Sequence, residues 1–427
     1  MKKSHNLLIT VLFCAFLGGI AMVSLLLPDK DFSEMENRNL RLLPELTYNK
    51  FTSGRYMTEA ESYVSDQIAL RDGWVALKAL GEIASGKREN NGIYFADDDT
   101  LIRRVEEPDD TRIAENIAYL QGFASGSEIP VYFGLIPTAA TVWQDKLPAG
   151  APSADEKAWT AELYDRSGAK TIDIAAALEA NSGEEIYYRT DHHWTSLGAF
   201  YGANAILNAM GLEELEIDHY TPTVVSDSFL GTNYSSAGAW WTAPDTITVY
   251  VSEEGREVTS NFTGRDEPGR LYVPEQLEVK NKYAYFLGGN QPLCVIRSQS
   301  EGPKILVIRD SYSDCLAPFL SERFSEVHLF DLRYNRLSPA NYAREHGIDM
   351  VLILYSFDTY VTDENQFILA REIRSTKPPL EGRWPGVAGS EGWKPKGWNL
   401  LEITNDFPNP TSHPSVACGD SSPQGEP

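Results

Sequence analysis

Cysteine is scarce in this sequence, which has four among its 427 residues. Cys14 lies in an apolar amino-terminal run and Cys418 in a polar tail, so the count argues against a disulfide framework. No CxxC pair is present, and the ligand spacing of a structural zinc site is therefore missing. Cys294 and Cys315 are left, and we expect both to be small buried residues.

Basic residues are also few. Lys and Arg number 37 against 61 Asp and Glu, and the formal net charge is −24. A nucleic-acid-binding surface needs clustered Lys and Arg to neutralise phosphates, so this balance argues against nucleic acid as a partner. The 42% hydrophobic and 23% charged residues are typical of a globular chain, and no internal repeat is visible.

One long uncharged run lies at the amino terminus, after Lys2 and Lys3. Residues 7–27 carry no charge, and a helix needs about 20 such residues to cross a bilayer core. A cleavable signal peptide has about 7–15 apolar residues and an A-x-A-like site, and no convincing site of that kind follows. We therefore predict that residues 1–28 are a signal-anchor with cytoplasmic lysines and an extracytoplasmic folded domain. The alternative is a protein secreted after late cleavage of the signal.

The rest of the chain divides into three predicted parts. Residues 29–90 are a largely helical, membrane-proximal lead-in, because apolar residues recur at helical spacing from 51 to 83. Residues 91–375 form the main domain. Within it the segment at about 215–288 is predicted as a β-rich insertion, because Thr, Val, Tyr and Gly dominate there. Residues 376–427 are rich in Gly, Pro and Ser and are predicted to be a disordered tail.

Strands alternate with helices in the predicted main domain. Four continuous apolar runs predict buried strands, at 129–135, 304–308, 326–330 and 350–355. Helical patterns fall between or after them, at about 154–166, 195–210, 313–323, 338–346 and 364–374. This alternation predicts an α/β fold in which helices cover a parallel sheet on both faces.

Two of the seven histidines stand beside a carboxylate in Asp191-His192-His193-Trp194. A serine hydroxyl is a poor nucleophile that needs an adjacent base, and imidazole, with a pKa near 7, is suited to that role. A carboxylate on the other ring nitrogen selects the tautomer and stabilises the imidazolium. We therefore interpret Asp191 as the orienting group, His193 as the base and Ser311 as the nucleophile.

Ser311 lies between a predicted strand, 304–308, and a predicted helix. Open α/β folds place their sites at this carboxyl edge of the sheet, and N–H groups at a helix start can stabilise an oxyanion. Residues 288–290 (Gly-Gly-Asn) are a second source of donors, because the glycines permit close approach and Asn290 offers an amide. His192 is expected to support the site by packing, since only one of two adjacent side chains can face Ser311.

Each feature also has another interpretation. An Asp-Ser pair after a strand is often an ordinary helix cap. Asp-His-His is also the metal-binding signature of a class of phosphoesterases. Those enzymes need further aspartates after other strands, and Asp97, Asp98 and Asp99 lie at the tip of a predicted hairpin instead. We predict neither a metal nor a cofactor.

Five stretches of the sequence resemble landmarks of the family named DHHW after its central motif. In chain order they are Phe32-Ser33-Glu34-Met35-Glu36-Asn37-Arg38, Asp191-His192-His193-Trp194, Phe229-Leu230-Gly231-Thr232, Phe286-Leu287-Gly288-Gly289-Asn290 and Asp310-Ser311-Tyr312. The resemblance covers about residues 30 to 375, which is most of the predicted folded chain. The ordered set is more specific than any one of these short motifs.

The DHHW family is similar to the SGNH-like acetyltransferases that O-acetylate alginate in the periplasm. The resemblance implies a three-layer α/β/α domain whose Asp-x-His pair precedes the serine nucleophile in the chain. It also implies an arginine and a tyrosine near the site, for which Arg333 and Tyr312 are the matches. Arg309 stands where the family pattern has a small residue, and this departs from the expected turn.

The function implied by the resemblance is an O-acetyltransferase tethered to the membrane. An acetyl-Ser311 intermediate would pass its acetyl group to a cell-surface or exported polysaccharide, with a membrane O-acyltransferase as the donor partner. Two alternatives stay open: an acetylesterase with the same triad, and a non-catalytic polysaccharide-binding surface protein. The first two functions differ in water access and acceptor binding, so the triad residues do not separate them.

Overall fold

The computed structural model describes residues 2–33 and 38–371. The predicted tail at 376–427, Cys418 and the centre of the motif at 32–38 lie outside these residues. The boundaries that we predict between the anchor, the lead-in and the main domain also stay predictions.

Four helices precede the main sheet: α1 (Lys2–Leu26), α2 (Tyr48–Thr52), α3 (Arg55–Asp66) and α4 (Arg71–Ala84). Within the described part of the chain, His5–Leu26 is the one helix long and apolar enough to cross a membrane, by length and composition. The lead-in contains three short helices because Gly54 and Leu70 adopt left-handed backbone conformations, with φ of 76° and 59°, between them.

The strands of the described residues are, in chain order, β1 (Phe32–Ser33), β2 (Arg38–Asn39), β3 (Glu89–Asn90), β4 (Ile93–Ala96), β5 (Thr100–Arg103), β6 (Val131–Ile136), β7 (Lys170–Ile172), β8 (Thr223–Phe229), β9 (Asp245–Val249), β10 (Glu257–Ser260), β11 (Glu267–Pro268), β12 (Leu293–Arg297), β13 (Lys304–Arg309), β14 (Glu326–Phe330) and β15 (Met350–Ser356). The predicted hairpin is present as β4 and β5, which pair antiparallel beside β3.

An eight-stranded sheet forms the centre of the main domain, in the order β11-β10-β12-β14-β13-β15-β6-β7. The strands from β14 to β7 are parallel, whereas β12, β10 and β11 extend one side antiparallel. The α/β prediction is therefore confirmed, with a parallel part that contains every apolar strand predicted from the sequence. The carboxyl ends of β13, β15 and β6 meet at one edge of the sheet, because these strands are adjacent and parallel.

The remaining helices are α5 (Asp110–Gly126), α6 (Ala139–Val142), α7 (Glu156–Ser167), α8 (Ile174–Ala180), α9 (Ser196–Ala209), α10 (Thr232–Ala237), α11 (Ser313–Leu320), α12 (Pro339–Glu345) and α13 (Phe357–Thr362). One group, α8, α9 and α11, packs together, and a second group, α5, α7 and α13, packs together separately. Helices of both groups contact strand β6, in keeping with the predicted three layers. The Thr195 hydroxyl caps α9 as expected, accepting a hydrogen bond from the Gly198 N–H at 3.2 Å.

Two predictions about secondary structure need correction. The helix predicted at 364–374 is a short 3-10 turn at Gln366–Ala370, because the Asp363 carboxylate accepts a hydrogen bond from the Asn365 N–H at 2.9 Å and holds a turn there. The segment at 215–288 contains helix α10 as well as strands. Its strand β10 pairs with β12 and so belongs to the main sheet, while β8 and β9 form a separate two-stranded sheet.

Candidate active site

Ser311 lies in the turn between β13 and α11, at the carboxyl edge of the sheet. The Asp310 side chain stabilises this turn through three hydrogen bonds. Its Oδ1 atom accepts from the Tyr312 N–H at 3.1 Å, and its Oδ2 atom accepts from the Ser356 N–H and hydroxyl, both at 2.8 Å. Ser356 ends the neighbouring strand β15, so two adjacent strand ends are joined beneath the serine.

The loop that carries Asp191 and His193 is held by hydrogen bonds on both sides. The Asp245 carboxylate at the start of β9 accepts from the Thr190 N–H and hydroxyl, at 2.8 and 2.6 Å. The Leu101 N–H of β5 donates to the Arg189 carbonyl at 2.8 Å. These contacts come from segments distant in sequence, and they present the two side chains toward β13.

The two loops bring His193 into contact with both Asp191 and Ser311. The Nε2 atom of His193 lies 2.7 Å from the Oγ atom of Ser311, 118 positions further along the chain. The Nδ1 atom of His193 lies 2.6 Å from Oδ1 of Asp191, which also accepts from the His193 N–H at 3.0 Å. Asp191 and His193 are buried, at 3% and 6% exposure, whereas Ser311 is partly exposed and open to a substrate.

The Asp191 carboxylate is held ionised. Burial alone would raise its pKa, but the adjacent His192 and His193 rings and hydrogen bonds from His193 and Thr232 hold the pKa far below its ordinary value. The Thr232 N–H and hydroxyl donate to Oδ2 at 2.7 and 3.1 Å. Gly231 permits this approach, because a Cβ atom there would lie 2.2 Å from the Asp191 Cβ.

His192 supports the loop and does not contact Ser311. Its Nδ1 atom lies 2.6 Å from the Thr232 hydroxyl, and its ring centroid lies 3.9 Å from that of His193. Burial, and after it the adjacent His193, lower the pKa of His192 to about 3, and the opposite effect of Asp191 does not offset them. His192 is therefore neutral at physiological pH and leaves His193 as the ring that accepts a proton.

Tyr312 and Trp194 join the two loops directly. The Trp194 indole N–H donates to the Tyr312 carbonyl at 2.9 Å, and the Tyr312 hydroxyl donates to the His192 carbonyl. Trp194 is fully buried against Gly202, where an added Cβ would meet its ring at 2.6 Å. The tyrosine expected near the site is thus a bridge between loops, with its hydroxyl occupied by the backbone.

Tyr283 is a site residue that the sequence analysis missed. Its ring stacks on the His193 ring, with a centroid distance of 3.8 Å and an interplanar angle of 10°. Its hydroxyl lies 3.2 Å from the Ser311 carbonyl oxygen, to which it donates. The ring face limits how the imidazole can rotate, and it would also favour a positive charge on that imidazole.

Asn290, Arg309 and Arg333 are joined by hydrogen bonds beside the Ser311 turn. Arg333 donates to both oxygens of Asp331, at 2.9 and 2.7 Å, and to Oδ1 of Asn290 at 3.2 Å. Arg309 is fully buried and forms an ion pair of 3.0 Å with Asp314. The turn therefore accommodates the long Arg309 side chain, because this side chain is buried and paired with Asp314.

The N–H groups of the turn are mostly occupied. Those of Tyr312, Ser313 and Asp314 bond to Asp310 or to the Ser311 carbonyl. Within the described residues, the Ser311 N–H and the Asn290 Nδ2 donate to no protein atom. Of the backbone donors expected at the helix start, the Ser311 N–H is therefore the one left open, and the Asn290 amide N–H groups are open as well.

Asp191, His192 and His193 also form the closest group of potential metal ligands among the described residues. One ligand atom from each lies within 4.8 Å of the others. In the observed geometry both nitrogens of His193 are engaged, one by Asp191 and one by Ser311. The arrangement of Asp191, His193 and Ser311 therefore fits proton transfer better than it fits metal coordination.

The chain is similar to one protein family and to several solved structures. A family model described as DHHW protein matches residues 109–330, more than half of the chain. A DHHW family protein from Eubacterium siraeum is 26% identical, with a TM-score of 0.57 over 66% of this chain and 95% of that one. Bacillus cereus PatB1, solved with a sulfonyl adduct, is 21% identical, with a TM-score of 0.54 over 65% and 97%. The O-acetyltransferase domain of Pseudomonas putida AlgJ is 14% identical, with a TM-score of 0.42 over 65% and 97%. No curated protein matches the sequence.

We expect Thr232→Val to slow acylation of Ser311 about 10- to 100-fold, because it removes a hydroxyl that bonds to the ionised Asp191. The backbone N–H of residue 232 still donates to Asp191, so the loop should remain in place. The measurement is the rate of acetyl-enzyme formation from an activated acetyl ester, followed by mass spectrometry. Thr263→Val, at an exposed loop position, is the matched control. An unchanged rate in Thr232→Val would contradict the assigned role of the hydroxyl.

We expect the ionised Asp191 to stabilise the folded protein at every pH above about 4, the ordinary pKa of an aspartate. Because its folded pKa is lowered, this contribution is lost only as the pH falls below that value. Asp191→Asn should therefore lose less stability than the wild-type protein between neutral pH and about pH 3. Thermal unfolding measured across this range tests the difference. Parallel stability curves for the two proteins would count against it.

Proposed function

The chain belongs to the DHHW protein family, and from this premise we propose that it is a membrane-tethered, extracytoplasmic O-acetyltransferase. It transfers an acetyl group through Ser311 to a hydroxyl of a cell-surface or exported polysaccharide. We choose acetyl as the transferred group and a polysaccharide as the acceptor because the family is similar to SGNH-like acetyltransferases. The acyl chemistry is supported independently by the geometry of the site.

One observation carries the proposal. The His193 ring is hydrogen-bonded on one nitrogen to the Ser311 hydroxyl and on the other to the ionised Asp191. A serine that only capped a helix would bond to a backbone N–H, whereas in the described residues the Ser311 hydroxyl bonds to His193 alone. The pairing of nucleophile, base and orienting carboxylate is the arrangement that activates a serine.

In the first half-reaction, His193 Nε2 takes the Ser311 proton while Oγ attacks the acetyl carbonyl carbon of the donor. The new Oγ–C bond gives a tetrahedral oxyanion, which the Ser311 N–H and the Asn290 amide would stabilise. The oxyanion collapses, the bond to the donor's leaving group breaks, and His193 returns the proton to that group. Acetyl-Ser311 is left behind.

In the second half-reaction, a sugar hydroxyl gives its proton to His193 Nε2 and attacks the acetyl carbon. The bond to Ser311 Oγ breaks, His193 protonates the released Oγ, and the acetylated sugar departs. If water enters instead of the sugar, the same steps release acetate and the protein is an esterase. The proposed acetyl donor is a membrane O-acyltransferase, which would meet this site beside the bilayer.

The proposed location rests on α1 (Lys2–Leu26). Its length and composition fit a membrane anchor or a signal sequence. The basic residues Lys2 and Lys3 before it favour a cytoplasmic amino terminus. The main domain would then lie outside the cytoplasm, where an exported polysaccharide is accessible. A secreted form after cleavage would have the same access.

The test incubates the full chain in detergent with an activated acetyl ester, with and without oligosaccharide acceptors. We expect acetyl-Ser311 and then acetylated sugar, with losses of at least about 1000-fold in kcat for Ser311→Ala and for His193→Ala. Exposed His219→Ala is the matched control.

Acetate release without sugar acetylation would replace the transferase with an esterase. A failure to form any acyl-enzyme, with oligosaccharide still bound, would favour the polysaccharide-binding protein. Chelator-sensitive phosphoester cleavage would overturn acyl chemistry in favour of a metal site.

A further inference from the structure

Arg309 is in an unusual position for a charged residue. It is the last residue of β13, two positions before the nucleophile, and it is fully buried. A buried ion pair is rarely the most stable way to fill such a space, because desolvation of both charges offsets their attraction. The presence of Arg309 and its partner Asp314 is better explained by the geometry that they hold.

A single nitrogen of Arg309 contacts three oxygen atoms around the nucleophile. Its Nη1 atom lies 3.2 Å from the Asp310 carbonyl oxygen, 3.0 Å from Oδ1 of Asp314 and 3.5 Å from Oδ1 of Asn290. Asp310 immediately precedes Ser311 and Asp314 follows it by one helical turn. The guanidinium therefore holds both sides of the turn and reaches Asn290 from the same point.

The side-chain orientation of Asn290 follows from these contacts. Its Oδ1 atom receives N–H donors from Arg309 and from Arg333, the latter at 3.2 Å. Arginine has no acceptor, so turning the amide nitrogen toward either guanidinium would set donor against donor. The oxygen is therefore directed at the arginines and the NH₂ group away from them. Asp331 fixes Arg333 through both carboxylate oxygens.

We propose that Arg309 is a positioning residue, which holds the Ser311 turn and orients the Asn290 amide so that its N–H donates to the oxyanion of acyl transfer. This role rests on the proposed function, because it concerns the same reaction. Arg309 does not touch the reacting atoms and acts through Asn290 and the turn. All three contacts are made by Nη1, at the end of a rigid planar group that reaches one bond further than a lysine side chain. The ammonium of lysine would keep a positive charge near Asp314 but would not reach the position from which Nη1 contacts all three oxygens.

The test is a double-mutant cycle in the full chain with Arg309→Lys, Asn290→Ser and the two combined. The readouts are kcat and KM for acetyl-Ser311 formation from an activated acetyl ester. We expect Asn290→Ser to lower kcat about 100- to 1000-fold, as for loss of one oxyanion donor. Arg309→Lys should lower kcat about 10- to 100-fold with little change in KM. The combined variant should be close to Asn290→Ser alone, because both changes act on one interaction.

The proposal is overturned by any of three results: Arg309→Lys leaves kcat unchanged, it raises KM by as much as it lowers kcat, or its fold-loss in kcat multiplies with that of Asn290→Ser in the combined variant. Arg166→Lys on α7, whose side chain is 40% exposed, controls for the general effect of the exchange. If Arg309→Lys fails to fold, Arg333→Lys takes its place in the cycle, because it acts on the same amide oxygen from a more exposed position. Absence of acetyl-Ser311 in the wild-type chain would instead reject the proposed function itself.

Discussion

The hydrogen bond between His193 and Ser311 is the contact on which the rest of the site depends. It joins two loops separated by 118 positions, and neither loop could hold the geometry alone. Trp194 and Tyr312 each donate across the same junction, to Tyr312 and His192 respectively. Tyr283 closes the third side by stacking on the imidazole. Such a network is stiffer than its separate bonds, because each contact restricts the groups that make the others.

The electrostatics of the site leave one group free to move a proton. Asp191 stays ionised because four donors converge on its carboxylate, and His192 stays neutral because partial burial and the adjacent His193 lower its pKa. The arginines beside the turn are each matched by a carboxylate, Asp314 or Asp331.

Much of this could be predicted from the sequence, where the signal is local. Ser311 follows an apolar strand and precedes a helix, and that pattern alone predicts its place at the sheet edge. Asp191 and His193 are two residues apart, so their contact needed no knowledge of the fold. The motif at 229–232 is also visible in the sequence. The reason for a glycine at 231 comes only from the structure, where a Cβ atom on residue 231 would lie 2.2 Å from the Asp191 Cβ.

The rest depends on pairings between distant segments. Asp245 gives no sign in the sequence that it binds Thr190, and Tyr283 resembles any other tyrosine until its ring lies on His193. Strand β10 is short and polar, and it joins the main sheet only because β12 offers it an antiparallel edge. Arg309 departs from the small residue expected at its position. The sequence does not show that Arg309 forms a buried ion pair with Asp314, because that contact depends on how the turn folds.

The most direct test of the central contact uses an arylsulfonyl fluoride, which reacts with activated serine hydroxyls, followed by peptide mapping. We expect a single adduct, on Ser311, formed rapidly in the wild-type chain and lost in His193→Ala. Labelling of Ser311 at the same rate without the imidazole, or labelling only at other residues, would contradict the claim that His193 activates this serine.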